Sequence, residues 1–415
     1  MMLRKTGNQD FYRENRRRFL EQLEDDAVCV LFSGMPYRKS ADSFYPFYGD
    51  RNFYYLTGIE QEGSALVIRK KNGRTVRLTL CVMTCDRNSE RWNGLRLTRS
   101  EASRISGIYD TGFSEGLDSI LRKVLEGYSG KLYIDSNCSV TSNVWLASII
   151  DSDYPDLQKV DTLPVFSSLR AVKSEYEISM IRKAAQITGK GIEAIYRNIR
   201  PGMTEYQAAA LFEYIVKCEG AGEPAFDTIV ASGSNFNYLH YPQLSDVIRA
   251  GDLVLLDLGA KWEGLCSDIS RAFPASGRFS ELQLKVYRAV RECQETAFSM
   301  IRPGVTIKEV NLACRNKAAE ILTEFRVIHR PEDVVNYYWH NVSHHLGFDV
   351  HDIISRDKVL EAGMVITVEP GIYIPEWNVG LRIEDDVLVT ESGCENLSAE
   401  IPREPEEIEA LMSCG

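Results

Sequence analysis

Four carboxylates and a run of histidines carry the chemistry legible in this sequence. Asp257 closes the apolar run Leu253-Val254-Leu255-Leu256. After the turn-like Lys261-Trp262-Glu263-Gly264, a returning strand-like run from Leu265 to Phe273 bears Asp268. A hairpin of this kind brings its two acids close together across the ladder. Glu369 ends the run Val365-Ile366-Thr367-Val368 in the same way, and a longer connection through Pro375-Glu376-Trp377-Asn378 leads to Leu381-Arg382-Ile383-Glu384. Side chains alternate along a strand, so Arg382 and Glu384 share a face. Acids gathered in one buried cleft repel one another, and divalent cations neutralise them while holding a geometry. Carboxylate oxygens with one imidazole suit Mn²⁺, Co²⁺, Fe²⁺ or Zn²⁺, and two such ions roughly 3.5–4 Å apart serve several hydrolase classes. The plainer alternative is four unrelated surface acids, the commoner fate of acids at strand ends.

The chain has six histidines, and four of them (His340, His344, His345 and His351) fall within twelve residues. One histidine alone is more often a structural residue, but a cluster in a histidine-poor chain points to ligation or acid–base work. The run from Trp339 to Asp352 has no helical period and reads as a shaped loop. His329, beside Arg330 and Pro331, reads as an ordinary loop residue, and His240 stands in Leu239-His240-Tyr241.

These residues must be positioned by a duplicated unit. Ile199-Arg200-Pro201-Gly202-Met203-Thr204 recurs as Ile301-Arg302-Pro303-Gly304-Val305-Thr306, and each Thr is followed three residues later by Gln207 or Glu309. Each copy therefore turns at Pro-Gly and restarts a capped helix. Ala250-Gly251 leads to Asp257 and Gly259 with the same spacing by which Ala362-Gly363 leads to Glu369 and Gly371. Two copies of one helix-then-strand unit, related by a pseudo-two-fold axis, follow from this, and two copies make a duplicated domain rather than a solenoid. The symmetry is the argument against the plainer alternative.

The preceding part, up to residue 167, reads as an α/β domain. Strands are expected at Val28–Phe32, Phe53–Leu56, Ala65–Ile68, Val76–Val82 and Leu132–Ile134, with helices at Arg13–Glu24, Glu101–Ile105 and Leu117–Leu125. A boundary falls near Leu163 to Ser168. Beyond it Ser174 and Glu177 form a capping box, and Ile178, Ile181, Ala185, Ile192 and Ile195 share one helical face. The expected domains are 1–167 and 168–415.

The bulk properties narrow the class. The 415 residues carry a formal charge of -11, which disfavours a phosphate backbone as partner. Arg16-Arg17-Arg18 is the best basic patch and reads as a solvated helix face. The ten cysteines show no metal or disulfide spacing; Cys81 and Cys85 read as core thiols, and reduced thiols fit a reducing compartment. No signal-like segment and no membrane-length apolar run is read, so a cytoplasmic location is expected, with no nucleic-acid or membrane partner.

With these motifs in place, the chain resembles the aminopeptidase P and prolidase branch of the pita-bread metallopeptidases, over nearly its whole length. The carrying motifs are Asp257-Leu258-Gly259, Ser267-Asp268-Ile269-Ser270-Arg271, Ser343-His344, Glu369-Pro370-Gly371 and Arg382-Ile383-Glu384-Asp385. Tyr45-Pro46-Phe47-Tyr48 and Phe53-Tyr54-Tyr55-Leu56-Thr57-Gly58 are similar to the family's creatinase-like N-terminal domain. The resemblance implies an α/β fold, with that N-terminal domain ahead of a pita-bread catalytic domain. It implies two divalent ions per chain, Mn²⁺ first, with Co²⁺, Zn²⁺ or Fe²⁺ as alternatives. Asp257 would hold one ion, His344 and Glu369 the other, with Asp268 and Glu384 bridging. Glu369 would also shuttle the proton, with His240 and His351 holding the substrate carbonyl. His340 and Arg382 would line a proline pocket, and Trp92 would lean over the site.

The implied substrates are peptides with proline in second position, and the implied assembly is a homodimer or homotetramer. Asn341, His345, Leu265 and Ser270 depart from the family's usual Gly, Trp, Tyr and Thr, and bear on metal affinity and substrate preference. The readings left open are an aminopeptidase acting on longer peptides, a prolidase acting on dipeptides, a metal-free creatinase-like enzyme, and a non-catalytic binding module on the same fold.

Overall fold

The apolar run at residues 28–32 becomes the centre of a six-stranded sheet in this computed structural model, which describes residues 8–136, 149–150 and 152–413. The described residues divide into two units, with the boundary between Leu169 and Arg170. In the first, β1 (Ala27–Phe32) is buried along its whole length, as befits a strand covered on both faces. It lies antiparallel to β2 (Ala65–Lys71) and parallel to β5 (Lys131–Ile134). With β3 (Arg74–Val82), β4 (Asp110–Phe113) and β6 (Gln158–Asp161), the order is β4-β3-β2-β1-β5-β6. The helix Leu117–Leu125 lays Leu117, Leu121, Val124 and Leu125 against Val28, Val30 and Phe32.

Three expectations for this unit need correction. Residues 53–56 lie in a helix, Arg51–Thr57, not a strand. Asp50 caps its start by accepting from Phe53 N at 2.7 Å, and Gly58 ends it at φ 68°. All seven residues are buried, so the segment has no polar face and no helical period to read. Arg16 is not solvated but buried, donating to Leu56 O at 2.6 Å, while Arg17 of the same run does face solvent. Cys81 is a core thiol, but Cys85 lies past the end of β3 and is only half-buried. Cys138 and Cys414 lie outside the described residues.

The second unit shows the duplication in its geometry. Its first long helix, Glu175–Asn198, starts at the Ser174/Glu177 capping box. The helices Glu205–Cys218 and Ile307–Glu324 start at the Thr204/Gln207 and Thr306/Glu309 boxes, as the repeat requires. In the first copy β7 (Ile229–Ser232) and β11 (Ile269–Pro274) flank β8 (Leu253–Leu258), and the small β9 (Lys261–Trp262) and β10 (Leu265–Cys266) form the hairpin tip. In the second copy β12 (Val365–Val368) pairs with β15 (Asp385–Val389), which pairs with β16 (Cys394–Asn396); β13 (Gly371–Ile374) and β14 (Val379–Arg382) form the projecting hairpin.

The place that β7 takes beside β8 is taken beside β12 by the histidine segment. Thr367 N donates to His344 O at 2.9 Å, Glu369 N to Val342 O at 2.8 Å, and His345 bridges to Ile366. Within the segment expected to be a loop, residues 342–346 are therefore held along the strand that leads to Glu369, while the rest is loop and bend. Asp268 and Glu384 are not inside strands. Each stands in a two-residue break, 267–268 and 383–384, where the ladder is open. A break of that kind aims a carboxylate inward while both flanking strands stay paired.

Candidate metal centre

The two copies are tied together at these breaks. Glu384 N donates to Ser270 O at 3.0 Å, and Asp268 N donates to Asp386 Oδ1 at 3.1 Å. Arg271 and Asp385 form a fully buried pair at 2.8 Å; Gln294 and Ser398 also donate to Asp385. Asp385 is thereby committed to structure, which leaves its neighbour Glu384 as the acid facing the cleft.

There Asp268, His344 and Glu384, all buried, each offer a ligand atom within 4.8 Å of the others. His344 Nε2 lies 3.4 Å from Asp268 Oδ2 and 3.7 Å from Glu369 Oε1. Asp257 enters from β8, opposite Ser270 in the ladder. Its Oδ2 takes Arg382 Nη2 at 2.6 Å. Arg382 is buried and also reaches Ser270 Oγ at 2.8 Å and Tyr373 OH at 3.1 Å; Ser270 Oγ in turn donates to Glu384 Oε2 at 2.7 Å.

Charge in this cluster is strongly constrained. Burial first, and then the charges of Asp257, Glu369 and Asp386, push the Asp268 carboxyl well above its ordinary range. Burial, and then Asp268, Glu369 and Asp257, do the same to Glu384. Glu369 is also raised by burial, against the pull of His344 and Arg382. Burial opposes the charge on Arg382, but Tyr373, Asp257 and Glu384 outweigh it and keep the guanidinium protonated.

The residues fit a metal centre. The donors are hard oxygens plus one imidazole. Two of those oxygens, Asp257 Oδ1 and Asp268 Oδ1, are buried and have no hydrogen-bond partner. Buried carboxylate oxygens are seldom left so, since each forfeits its hydration.

The remaining expected residues are placed as follows. His340 Nδ1 lies 3.5 Å from Glu369 Oε2, and its Nε2 meets Tyr373 OH at 2.8 Å. The His351 ring meets His344 edge to face at 4.2 Å. His240 is exposed, and it lies close enough to His340 and His351 to act on both electrostatically. Burial lowers His340 to about 3 and His351 to about 4, so both are neutral imidazoles near pH 7. Arg382, expected to line a proline pocket, is turned onto Asp257. Trp92 belongs to the first unit, on the helix Arg87–Asn93, and is 89% exposed.

Sequence reasoning missed Tyr373, which joins His340 to Arg382, and Arg356, whose charge acts on Glu369 and His351. Tyr373 lies four residues after Glu369, and strand alternation from Glu369 through Gly371 would have found it. Nothing in the spacing marks Arg356. Of the departures, His345 is buried and held near 3 by burial and Lys173, Leu265 is buried, and Asn341 is exposed.

Comparison with known proteins places this geometry. Residues 179–391 match the family described as metallopeptidase family M24, and residues 12–133 match the aminopeptidase P N-terminal domain. The Xaa-Pro aminopeptidase of Escherichia coli (strain K12) is 33% identical over 438 residues, covering 98% of each chain. A putative aminopeptidase P from Bacillus anthracis has a similar structure, with TM-score 0.94, 37% identity and 98% of each chain covered. The E. coli aminopeptidase P solved with the inhibitor Pro-Leu superposes with TM-score 0.92 at 31% identity, over 99% of each chain.

Proposed function

This chain belongs to metallopeptidase family M24, and from that premise we propose that it removes an N-terminal residue from peptides whose second residue is proline. The observation that carries the reading is the convergence of Asp268, His344 and Glu384 within 4.8 Å, with Asp257 and Glu369 presenting further oxygens to the same cleft. The enzyme is a metal-dependent hydrolase. Domain assignment follows the same reading: residues 1–167 as the aminopeptidase P-type domain and 168–415 as the pita-bread catalytic domain.

Asp257, Asp268, His344, Glu369 and Glu384 would hold two divalent ions, which supply Lewis acidity and an acidified water near neutral pH. Glu369, whose carboxyl is raised by the loss of water around it, keeps part of its surface open to the cleft. It takes a proton from the attacking water and delivers it to the proline nitrogen as the scissile C–N bond breaks. His351 and His240, on separate loops, offer imidazole N–H groups to the carbonyl oxygen as it gains charge. A neutral His351 can donate without adding a permanent cation to the cleft. His340 and Tyr373, hydrogen-bonded to each other beside Glu369, form the wall proposed to receive the proline ring. Arg382 restrains Asp257, and Trp92 remains the proposed aromatic contribution of the first unit.

Mn²⁺ is the proposed native ion, supported by the oxygen-rich donor set. A cytoplasmic location is supported by the free thiols of Cys29, Cys81, Cys266, Cys293 and Cys314, all buried. A homodimer or homotetramer is supported by the exposed aromatic run Tyr37, Phe44, Tyr45 and Tyr48.

The test is hydrolysis of a Xaa-Pro tripeptide and a Xaa-Pro dipeptide after chelation and after re-addition of Mn²⁺, with Glu369→Gln as control. Loss on chelation, rescue by Mn²⁺ and a failing Glu369→Gln enzyme are expected, with the tripeptide preferred. A dipeptide-only activity would make it a prolidase, and undiminished hydrolysis in chelator would overturn the metal mechanism.

A further inference from the structure

Apart from the contact of its ring with His344, His351 lies open to solvent, so its place depends chiefly on the backbone that carries it. That backbone is held on both sides by carboxylates. Arg170 Nη2 reaches Asp349 Oδ2 at 2.6 Å, two residues before His351, and Asp352 Oδ1 at 2.5 Å, immediately after it. Lys173 Nζ takes the other oxygen of Asp352 at 3.2 Å. The side chains of Arg170, Lys173 and Asp352 are each only 1% exposed. Asp352 N donates to His345 O at 2.9 Å, folding the segment back on itself. The closure is tight: a Cβ at Gly347 would lie 2.2 Å from Asp352 Oδ2 and 3.3 Å from Lys173 Cε.

The two cations have a fixed base. Lys173 N donates to Gly363 O at 2.9 Å, and Val172 bridges to Met364, the residue before β12. Ser174 then caps the helix Glu175–Asn198 through the buried Glu177, whose charge also acts on Lys173. The reference point of the clamp is therefore the root of the strand that ends at Glu369. A buried ionic cluster is a weak way to gain stability, since apolar side chains of like size serve as well. What ionic pairs add is direction, because one guanidinium nitrogen bonded to two carboxylates sets the distance between them.

We infer that Arg170 and Lys173 are positioning residues that act on turnover through His351, by setting its place relative to Glu369. The inference rests on the reading of His351 as the group that faces the scissile carbonyl.

A double-mutant cycle tests it. His351→Ala, Asp352→Asn and the double variant are assayed as metal-loaded enzymes on a Xaa-Pro tripeptide, with kcat, KM and metal content measured for each. Asp352→Asn is expected to lower kcat about tenfold or more, as small misplacements of a catalytic group do, with little change in KM or metal content. In the His351→Ala background the same substitution should cost less than about twofold, because residues that act as one unit are not additive. Equal losses in both backgrounds, or a loss accounted for by missing metal, overturn the inference while leaving the role of His351 standing. A His351→Ala enzyme with wild-type kcat removes that role itself, and the inference with it. Arg170→Met removes the one nitrogen that bonds both carboxylates while keeping an unbranched side chain. It runs through the same cycle with the same outcomes, so that a misfolded Asp352→Asn protein does not end the test.

Discussion

Replacing Glu205 by Gln probes whether the loop bearing His240 is set from beneath. Glu205 is fully buried at the start of the helix Glu205–Cys218. Its Oε1 accepts from Ser232 N at 2.8 Å, Ser232 Oγ at 2.8 Å and Asn235 Nδ2 at 2.9 Å, and its Oε2 accepts from Asp246 N at 3.0 Å. These donors bracket residues 232–246, with His240 between them. Gln keeps the shape and one acceptor, but turns an N–H₂ towards at least one donor. Bonds to a charged group contribute about 1.5–3 kcal/mol and neutral ones about 1, while an unmatched buried donor costs about 1–3 kcal/mol. Relief of the buried charge offsets part of this, so Glu205→Gln should lose about 2–3 kcal/mol. Glu205→Ala, which strips every acceptor and leaves a cavity, should lose about 3–5 kcal/mol. Urea unfolding of the metal-loaded protein measures both, read at the transition of the second unit because two units need not unfold together. With the loop loosened, kcat/KM on a Xaa-Pro tripeptide should fall about tenfold for the Gln variant at unchanged metal content. An unfolding curve that does not move, or one that moves while kcat/KM stays at wild type, refutes the reasoning.

Ser270→Ala removes the hydroxyl that links Arg382 to Glu384. It should cost about 1–2 kcal/mol in the metal-stripped protein, seen as a lower Tm; an unchanged Tm would count against the link. Gly259→Ala would set a Cβ 1.8 Å from Ser267 O, a backbone atom beside Asp268. The strand ends must then part, at or above the ~1–3 kcal/mol of ordinary overpacking, with metal content falling in parallel; full metal occupancy would contradict this. The folded-state pKa values of Asp268, Glu369 and Glu384 are raised, so the stripped fold holds protons that the unfolded chain releases above about pH 4. The contribution of these groups to its stability is therefore lost as pH rises from there towards the folded values. Metal binding needs the ionised forms and runs the other way, so the Tm gap between loaded and stripped protein should widen with pH. A gap that narrows would refute the assignment.

The duplication was legible because its signals are local. A Pro-Gly turn, a capping threonine and an apolar run ending in an acid are each read within a few residues, and the helices 205–218 and 307–324 start where those signals fall. The helix Arg51–Thr57 was read as a strand because full burial erased its polar face. The extended pairing of His344 and His345 on β12 escaped because it joins chain segments with no shared pattern. Asp268 and Glu384 fall within the returning segments expected of them, but in breaks between strands, and those breaks depend on the other copy of the repeat. Arg170 and Lys173 lie some 180 residues from Asp352, and no spacing rule joins them to it. Divalent cations are not the whole of the charge balance expected from the sequence, since Arg382 already answers Asp257.

That guanidinium bears on how the cleft holds an ion. Asp257 meets a cation carried by its own polypeptide where β8 and β14 come together, so one acid of the cleft has a counter-charge that does not depend on supply from outside. An ion that takes this acid must share it with a permanent counter-charge, which weakens its hold on that side of the cleft.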